Sequence, residues 1–497
     1  MPLEDLQKER LKKLKNIQRL GINPYPAKSE RKQEIFISRK MMGKKVTVAG
    51  RIRSLRPHGK ITFVDIEDAT GKIQLFFSQS ELNGEKYEFL TNFDLGDFIE
   101  TSGEIFKTQA GEISVRVSDY KLLTKSIRPL PSAWYGLEDV EERYRQRYVD
   151  LIINPEVRKV FETRSKIIKF LRNFMEEKGF VEVETPTLQP LYGGATAKPF
   201  TTHHNTLDIK LYLRISDELY LKRLIVGGFE KVFEICKDFR NEGQDRQHNP
   251  EFTMMEFYLA YADYEDLMKL TEEMVSKAAK SISGNYTVEF EGEKLNFKPP
   301  FKRVSFNQLV MENCGINLDK VTTEGELRKV LKEKEIKLEM EGVFGFGPIT
   351  DELYKAVARP KIKQPTFVYD YPKDSLPLAK GSDLDPKKAG SFQLICMGYE
   401  IVKAYNELND PIEQENRWRQ EMALGKKGLE EHQVLDEDYI RALEYGMPPT
   451  AGWGMGVDRL VSLLTNQHTI KDVILFPTLK PDKSAKGRSS SGRKGKK

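Results

Sequence analysis

The fold and the chemistry are both decided by residues 239–258, which read FRNEGQDRQHNPEFTMMEFY. Two stretches of alternating apolar and polar residues flank a polar loop, which predicts two strands joined by a hairpin. Side chains two apart share one face of a strand, which groups Arg240 with Glu242 and groups Phe252, Met254, Glu256 and Tyr258. A guanidinium, carboxylates and a phenol gathered in this way fit recognition of phosphate or carboxylate groups, although a surface hairpin with salt bridges has the same composition.

Two further segments carry chemistry. Residues 452–460, GWGMGVDRL, place three alternating glycines before Asp458, Arg459 and an apolar helix, and such glycines let a ligand approach the backbone closely. The pattern is neither GxGxxG nor a P-loop, and tight helix–sheet packing also explains it. Residues 400–410, EIVKAYNELND, contain Glu400 and Glu407, whose oxygens suit Mg²⁺, an ammonium substrate or a solvated acidic loop.

A strand-rich region precedes this part of the chain. Partial alternation and glycines at turns predict five strands near 46–54, 61–68, 72–78, 97–106 and 112–123, with a helix at 79–93. Five strands with a helix in that place favour an OB barrel that binds oligonucleotides, and an SH3-like barrel is the alternative. Phe63, with Phe76 or Phe77, would stack on bases, unless these rings pack in the core.

The remaining segments complete the predicted organisation. Leucines at helical spacing predict an amphipathic helix over 3–20, which either docks on its own domain or binds RNA. We predict a basic helical extension (1–45), a barrel domain (46–128), a linker (129–150), a large catalytic domain (151–482) with a helical insertion (about 305–358), and a disordered basic tail (483–497).

Composition excludes several classes of protein. The 497 residues are 39% hydrophobic and 31% charged, which rules out collagen-like, disulfide-stapled and wholly disordered chains. No apolar run approaches the roughly 20 residues of a membrane-spanning helix, and the first residues lack the apolar core of a secretory signal, so we expect no membrane partner. Three widely spaced cysteines indicate a reducing compartment, and we expect a cytoplasmic protein.

The net charge of +5 is unevenly distributed. Residues 1–45 hold 13 basic and 5 acidic side chains, and residues 483–497 hold 7 basic and no acidic ones, so the remainder carries −10. Basic ends indicate a polyanionic partner, whereas the acidic centre fits either a pocket for cations or ordinary surface.

Taken together, these segments resemble the class II lysyl-tRNA synthetase family, over about residues 1–482. RSKIIKFLRNFMEEKGFVEVETP (164–186) is similar to the family's motif 1, FRNEG with HNPEFT to motif 2, and GWGMGVDRL to motif 3. RYRQRYVDLI, RISDELYLKRL and ELND are also family-like, and their order behind an OB-like domain makes the resemblance specific.

The resemblance implies an α+β fold, with an N-terminal OB-fold barrel and a class II catalytic domain built on an antiparallel sheet flanked by helices. It implies that lysine and ATP form lysyl-adenylate and pyrophosphate, and that lysine then passes to the 3′ end of tRNA(Lys). It also implies a homodimer through motif 1.

The resemblance also assigns roles to individual residues. Arg240 and Arg459 would be catalytic. The implied ATP-binding residues are Arg240, Glu242, His248, Asn249, Phe252 and Arg459, with Phe252 stacked on adenine and Arg459 on the γ-phosphate. The implied lysine-binding residues are Gly194, Glu218, Arg240, Glu256, Tyr258, Tyr405 and Glu407, of which Glu407 and Tyr258 would hold the ε-ammonium.

For the metal and the anticodon, the resemblance implies fewer residues. Glu400 matches a Mg²⁺ ligand, with Gln393 and Glu407 as further candidates, and Phe63, Gln74 and Arg51 would read the anticodon. The chain departs from the family pattern twice: Gln393 stands where the family usually has Glu, and Lys403 stands where it usually has Asn. The first change predicts weaker metal binding, and the second puts a cation beside a cationic substrate.

Two other functions are compatible with parts of the sequence. One is a synthetase of the same subclass for another amino acid such as aspartate, although Glu218, Glu256 and Glu407 argue against an acidic substrate. The other is a non-catalytic RNA-binding paralogue, which would have lost the ATP-binding residues that this chain keeps.

Overall fold

The computed structural model forms two compact units, Met1–Asp139 and Val140–Lys497. The division falls within the predicted linker, 129–150, and the finer domain boundaries stay predictions. The basic tail predicted for 483–497 lies outside the described residues. The residues that the structure describes are 3–131, 137, 139–340, 343–425 and 434–481.

The first unit is a five-stranded barrel with three helices. The helices are α1 (Leu3–Arg19), α2 (Ile35–Ser38) and α3 (Gly84–Phe89). The strands are β1 (Lys45–His58), β2 (Ile61–Asp68), β3 (Gly71–Ser78), β4 (Phe98–Lys107) and β5 (Ile113–Thr124). They close in the order β1-β2-β3-β5-β4, so all five predicted strands are present.

Alternation of side chains explains why these segments form a barrel. Along β2, Val64 and Ile66 are buried in the barrel core, while Phe63 and Asp65 point outward. Helix α1 belongs to the same unit, because Ile17 is fully buried in that core. The amphipathic helix therefore docks on its own domain.

The helix predicted over 79–93 was placed correctly but is shorter. Helix α3 begins only after Asn83, whose side chain accepts a hydrogen bond from the Lys86 N–H and so caps the helix. A short 3₁₀ turn, Leu90–Asn92, follows it. The residues before Asn83 lack the capping geometry that would extend the helix backward.

The second unit is built on one large sheet with helices around it. Its helices are α4 (Val140–Arg145), α5 (Arg147–Ile153), α6 (Pro155–Glu177), α7 (Glu218–Val226), α8 (Tyr264–Ser283), α9 (Phe306–Cys314), α10 (Glu324–Glu333), α11 (Phe346–Val357), α12 (Pro411–Gly425), α13 (Glu437–Glu444), α14 (Val457–Leu464) and α15 (Ile470–Val473). Its strands are β6 (Val181–Glu182), β7 (Leu188–Gln189), β8 (Thr201–His204), β9 (Ile209–Leu213), β10 (Lys231–Phe239), β11 (Glu251–Ala260), β12 (Thr287–Phe290), β13 (Glu293–Asn296), β14 (Lys302–Ser305), β15 (Thr366–Tyr369), β16 (Ser391–Cys396), β17 (Tyr399–Asn406) and β18 (Thr450–Gly456).

The large sheet has eight strands in the order β14-β15-β16-β17-β18-β11-β10-β6. Its five central pairs are antiparallel, as predicted, whereas β14–β15 and β10–β6 at its two edges are parallel. Parallel neighbours require a long crossover connection. The helical insertion supplies one between β14 and β15, and the segment containing α7 supplies the other, so the sheet is mixed.

The two faces of the central strands have different characters. Phe257 of β11 stacks on Trp453 of β18 with ring centroids 4.6 Å apart, and the Trp453 indole N–H donates to the Thr271 hydroxyl at 2.8 Å. These rings lie in the main hydrophobic core, between the sheet and α8. Because side chains alternate, Glu256 and Tyr258 point to the opposite face of the sheet.

The insertion forms a hydrophobic cluster of its own. Leu309 of α9, Leu327 of α10 and Leu353 of α11 pack there with Val304 and Val368 from the neighbouring strands. The described part of residues 305–358, which the sequence predicts to be mainly helical, contains α9, α10 and α11. Among the described residues, no helix is both long enough and apolar enough to span a membrane.

Candidate functional site

A cavity opens on the polar face of the large sheet. Strands β11, β17 and β18 form its floor, and the loop between β10 and β11 contributes to its wall. Its lining brings together all of the sequence-predicted ATP- and lysine-binding residues, namely Gly194, Glu218, Arg240, Glu242, His248, Asn249, Phe252, Glu256, Tyr258, Tyr405, Glu407 and Arg459, together with Glu400. Residues up to 265 positions apart in the chain, such as Gly194 and Arg459, therefore meet in one place.

The middle strand of the floor, β18, faces the cavity with two glycines. Gly452 and Gly454 of β18 pair with Tyr258 and Glu256 of β11, and all four residues face the cavity. A Cβ atom on Gly452 would overlap Glu407 Oε1 and would lie 2.5 Å from Tyr258 Cε1. The absence of a side chain at Gly452 thus lets Glu407 and Tyr258 lie directly against the backbone of β18.

One end of the cavity is a buried charge network. The Lys222 ammonium, which is fully buried, donates to Glu218 Oε1 at 2.7 Å and to Glu407 Oε2 at 2.6 Å. The Tyr405 hydroxyl donates to the other oxygen of Glu218 at 2.8 Å. Among the described residues, Glu407 Oε1 has no hydrogen-bond partner although it is buried. The network therefore presents one bare carboxylate oxygen beside Gly452.

The ionisation of this network follows from burial and neighbouring charge. Burial alone would lower the pKa of Lys222, but Glu218 and Glu407 raise it well above its usual value, so Lys222 stays charged. Burial raises the pKa of Glu407 to about 8, against the opposing effect of Lys222. Lys222 is thus the counter-charge of Glu407, whereas Lys222 itself is balanced by both Glu218 and Glu407.

Glu256 lies at the next position along the floor. Its carboxylate accepts from the Ser216 hydroxyl at 3.3 Å and from the Tyr258 hydroxyl at 3.5 Å. Burial, with further contributions from the nearby Asp217 and Asp238 carboxylates, raises its pKa well above the usual range. A cationic ligand group would relieve this crowding of acids.

Gly194 shapes the same end from the opposite wall. It has φ +84°, and a Cβ there would lie 2.9 Å from the Ser216 hydroxyl and 3.0 Å from Glu218 Cβ. A residue with a side chain would therefore be strained and would crowd Glu218. Its exposed backbone is available to a ligand.

The other end of the cavity carries cations and an aromatic ring. The Arg240 guanidinium lies 5.1 Å from the centre of the Phe252 ring, and among the described residues it hydrogen-bonds to the Ile215 carbonyl alone, at 3.4 and 3.5 Å. The Arg459 guanidinium donates to the Glu400 carbonyl at 2.9 Å and contacts His248 Nε2 at 3.2 Å. Both guanidinium groups are thus without a carboxylate partner and face an open cavity.

The loop residues of the second motif are held in different ways. His248 Nδ1 contacts Asp245 at 2.8 Å, and the Asn249 amide donates to the Glu251 carbonyl at 2.6 Å. Glu242 is exposed at the mouth of the cavity. This end can bind a flat base on Phe252 and several phosphate groups on the cations.

The three metal-ligand candidates are not brought together. Glu400 lines the cavity beside Arg459. Glu407 belongs to the lysine network at the far end of the floor. Gln393 does not line the cavity, and its Oε1 accepts a hydrogen bond from the Tyr371 hydroxyl at 2.7 Å. Of the three, Glu400 is the one that lies at the cationic end of the cavity.

Sequence reasoning missed Lys222. It lies four residues after Glu218, a spacing that puts the two on one face of a helix and could have indicated an ion pair. Its second partner, Glu407, is 185 positions away. No spacing rule could have supplied that contact.

The barrel carries an aromatic ladder on its outer surface. Phe63 lies 5.4 Å from Phe76, and Phe76 lies 5.7 Å from Phe106, between ring centroids. The Arg116 guanidinium lies 4.7 Å from the centre of the Phe106 ring. Phe77, the alternative to Phe76, is fully buried in the barrel core, so it is not available for stacking on a base.

The other two anticodon candidates lie in different places on the barrel. Gln74 is outward-facing like Phe76 on β3, and its Oε1 accepts from the Ser114 hydroxyl at 2.9 Å. Arg51 pairs with Glu67 across the strands, and its guanidinium covers Phe98 at 4.3 Å. Phe63 and Gln74 therefore share one surface. Arg51 lies on β1 opposite Glu67, which is four residues beyond Phe63 on β2.

Comparison with known proteins agrees with both units. Residues 139–480 match the family model described as tRNA synthetases class II (D, K and N), and residues 46–123 match an OB-fold nucleic acid binding domain. The chain belongs to the class II tRNA synthetases, and its barrel is an OB fold rather than an SH3-like one.

Relatives within this family are similar over nearly the full chain. The lysine–tRNA ligase of Pelotomaculum thermopropionicum is 49% identical over 96% of this chain and 96% of its own length. Those of Carboxydothermus hydrogenoformans and Syntrophomonas wolfei are 48% and 47% identical, covering 96% and 97% of this chain and 99% and 98% of their own lengths.

Proposed function

We propose that this chain is a lysine–tRNA ligase, which activates L-lysine with ATP and transfers it to the 3′ end of tRNA(Lys). The observation that indicates lysine as the substrate is the buried Glu407 Oε1 beside Gly452, which has no hydrogen-bond partner among the described residues. A buried carboxylate oxygen without a partner is costly, and an incoming ammonium satisfies it. The relatives named above point to the same activity.

Lysine would bind along the floor with its ε-ammonium between Glu407 and Tyr258. Tyr405 would pack on the aliphatic stem, and the α-ammonium would reach Glu218, Glu256 and the Gly194 backbone. An uncharged or acidic side chain would leave Glu407 Oε1 without a hydrogen-bond partner in a buried site, which costs about 1–3 kcal/mol. This argues against aspartate as the substrate.

Activation would take place next to Arg240. The lysine carboxylate attacks the α-phosphorus of ATP, the bond to the bridging oxygen breaks, and pyrophosphate leaves. Arg240 would hold both reacting anions, and its free N–H groups suit bidentate contacts. Phe252 would stack on adenine with Glu242 at its amino group, while His248, Asn249 and Arg459 would bind the phosphates. Positioning and charge neutralisation carry such a reaction without a general base.

Mg²⁺ would be held by Glu400 together with the ATP phosphates. The donor set fits this ion, because Mg²⁺ in nucleotide sites usually takes one or two carboxylates and completes its shell with phosphates and water. When bound, it neutralises phosphate charge. Gln393 and Glu407 keep their hydrogen-bonded roles, so a single protein carboxylate is our assignment.

The anticodon of tRNA would be read by the barrel. Single-stranded loops with splayed bases are the usual targets of sequence-specific RNA readers. Phe63 would stack on a central base and the free amide of Gln74 would bond to its edge. The net charge of +8 in residues 1–45 supports attraction to the RNA backbone.

We also propose a homodimer, as the resemblance implies, and a cytoplasmic location, as the three widely spaced cysteines indicate. For the dimer, support comes from the segment of the first motif and its continuation, where Val181 and Leu188 are 48% and 49% exposed. Exposed apolar side chains, here Val181 on the edge strand β6 of the large sheet and Leu188 on β7 of the three-stranded sheet, suit a subunit interface.

The proposed function is tested by ATP–pyrophosphate exchange with each standard amino acid. Lysine should support exchange, and aspartate and asparagine should not. Exchange with another amino acid and none with lysine would contradict the proposal, whereas no exchange with any amino acid, but intact tRNA binding, would favour the non-catalytic paralogue.

Lysine affinity should increase with pH. Burial holds the pKa of Glu407 at about 8, so below that pH part of the population is protonated and cannot pair with an ammonium. The substrate ammonium itself stays charged until about pH 10. The KM for lysine should therefore fall by roughly 50-fold from about pH 6 to about pH 8, as the deprotonated fraction of Glu407 rises. In Glu407→Gln the KM should be high and independent of pH in this range, and a retained slope would assign the titration to another group.

The Phe63→Ala variant should separate tRNA charging from lysine activation. Loss of one stacking ring costs about 1–3 kcal/mol, so kcat/KM for tRNA should fall roughly 5- to 150-fold while pyrophosphate exchange stays unchanged. Phe36→Ala is the matched control, because this ring is 51% exposed on the same unit but lies outside the ladder. Equal losses in charging and exchange would indicate a folding role for Phe63 instead.

A further inference from the structure

Lys403 is a cation in the cavity that the proposed function does not use. It lies on β17, and its half-buried side chain lines the cavity with Arg240. Across the sheet it is paired with Gln393 on one side and with Gly454 on the other, and Gly454 is paired with Glu256. Lys403 and Glu256 thus flank the bare backbone of Gly454.

No carboxylate oxygen that the structure describes lies within salt-bridge distance of the Lys403 ammonium. Lys222, the other lysine of this region, is matched by two carboxylates, whereas Lys403 forms no ion pair with any residue that the structure describes. Its cross-strand neighbour Gln393 is neutral, and the Gln393 carbonyl oxygen is already bonded to Tyr371. An unpaired ammonium in a partly dehydrated cavity favours an anionic ligand.

The position along the strands identifies which anion this is. Phe252 marks the adenine end of β11, and Tyr258 marks the ammonium end. Residues on a strand advance by about 3.3 Å, so the row of Glu256, Gly454 and Lys403 lies roughly 13 Å from Phe252 and 7 Å from Tyr258. A lysine anchored by its ε-ammonium at Glu407 has its carboxylate near this row, where it meets the α-phosphate.

We propose that Lys403 is a second cation at the reacting carboxylate, binding the carboxylate of lysine and then the α-phosphoryl oxygens of the adenylate. The inference rests on the proposed function and adds a residue to it. As the bond from the carboxylate oxygen to the α-phosphorus forms and pyrophosphate leaves with the electron pair of the broken bond, Lys403 keeps its proton and neutralises charge. Gln393 supports this role by not pairing with the ammonium.

The opposite reading is that Lys403 repels the cationic substrate. The two readings differ for cadaverine, which is lysine without its carboxylate. If Lys403 binds the carboxylate, Lys403→Met should weaken the binding of lysine. The binding of cadaverine should be unchanged or tighter. If Lys403 only repels ammonium groups, the same change should tighten both ligands.

The test measures lysine-dependent ATP–pyrophosphate exchange and its inhibition by cadaverine, in the full chain. In Lys403→Met, kcat/KM for lysine should fall roughly 10- to 100-fold, as expected for a lost charge-assisted hydrogen bond, while the cadaverine Ki does not rise. Lys403→Arg should retain most of the activity. Gln393→Glu, which gives Lys403 a carboxylate neighbour, should reproduce the loss without shortening a cavity side chain. Lys329→Met, on the exposed face of α10, should match the wild type.

Each outcome has a defined meaning. The role of Lys403 would be overturned by any of three results for Lys403→Met: tighter binding of both lysine and cadaverine, equal weakening of both, or lysine kinetics within about two-fold of the wild type. If Lys403→Met does not fold, normal lysine kinetics in Gln393→Glu would overturn it. A wild-type chain without lysine-dependent exchange would instead overturn the proposed function, and with it this role.

Discussion

Lysine activation should be almost lost when Gly452 is replaced by alanine. The added methyl group would overlap Glu407 Oε1 and would lie 2.5 Å from Tyr258 Cε1, so it would displace the two side chains proposed to hold the substrate's ε-ammonium. Losing one partner of a buried ion pair costs about 3–5 kcal/mol, which corresponds to a fall of roughly 150- to 5,000-fold in kcat/KM for lysine. Pyrophosphate exchange with lysine as the variable substrate measures this directly.

A neighbouring glycine provides the comparison for this variant. A Cβ on Gly454 would meet first the flexible end of Met254, at 3.3 Å, and Glu256 only at 3.6 Å. Gly454→Ala should therefore lose about 10-fold or less, and both variants should bind ATP like the wild type because Phe252 and Arg459 are untouched. Equal effects of the two substitutions would show that Gly452 does not face the ammonium site.

Adenylate formation should fall by roughly 1,000-fold or more in Arg240→Ala. Arg240 has no carboxylate partner among the described residues, so its charge is available to the two anions that react. Removing a preorganised donor from such a site typically costs 10²–10³ in rate, and here a full charge is lost as well. Single-turnover formation of the adenylate, followed by rapid quench, measures the chemical step.

Two further variants make this result specific. Arg240→Lys should restore little, because an ammonium cannot make the bidentate contacts of a guanidinium. Arg441→Ala removes a guanidinium that is 65% exposed on α13 and should have no effect. Near-wild-type adenylate formation in Arg240→Ala would mean that the second motif has been assigned wrongly.

Local pattern was sufficient for most of the fold. Strands such as Ile61–Asp68 coincide with the predicted segment 61–68, because alternation of buried and exposed residues is a property of adjacent positions. The two parallel edge pairs of the large sheet were not predicted. They depend on which segments distant in the chain become neighbouring strands, and no single stretch of sequence indicates this.

The candidate site shows the same limit. Motif residues such as Glu256 and Arg459 could be assigned because the family pattern is carried by short segments. The contacts that set the environment of these residues could not be predicted from short segments. Lys222 contacts Glu407 only because the fold brings them together, and Phe77 differs from Phe76 only in the side of β3 to which it points. Register, rather than residue type, decides such cases.

The internal ammonium of Lys222 has a consequence for how specificity can change over time. Any mutation that adapts the pocket to a side chain without charge must deal with three mutually dependent groups, Lys222, Glu218 and Glu407. Changing one of them strands a buried charge, at a cost of about 3–5 kcal/mol, which is comparable to a large part of the stability of a domain. A single mutation toward another amino acid substrate would therefore lower the stability of the fold before it changed which amino acid is attached to tRNA. The network would thus couple the proposed lysine specificity to the stability of the fold.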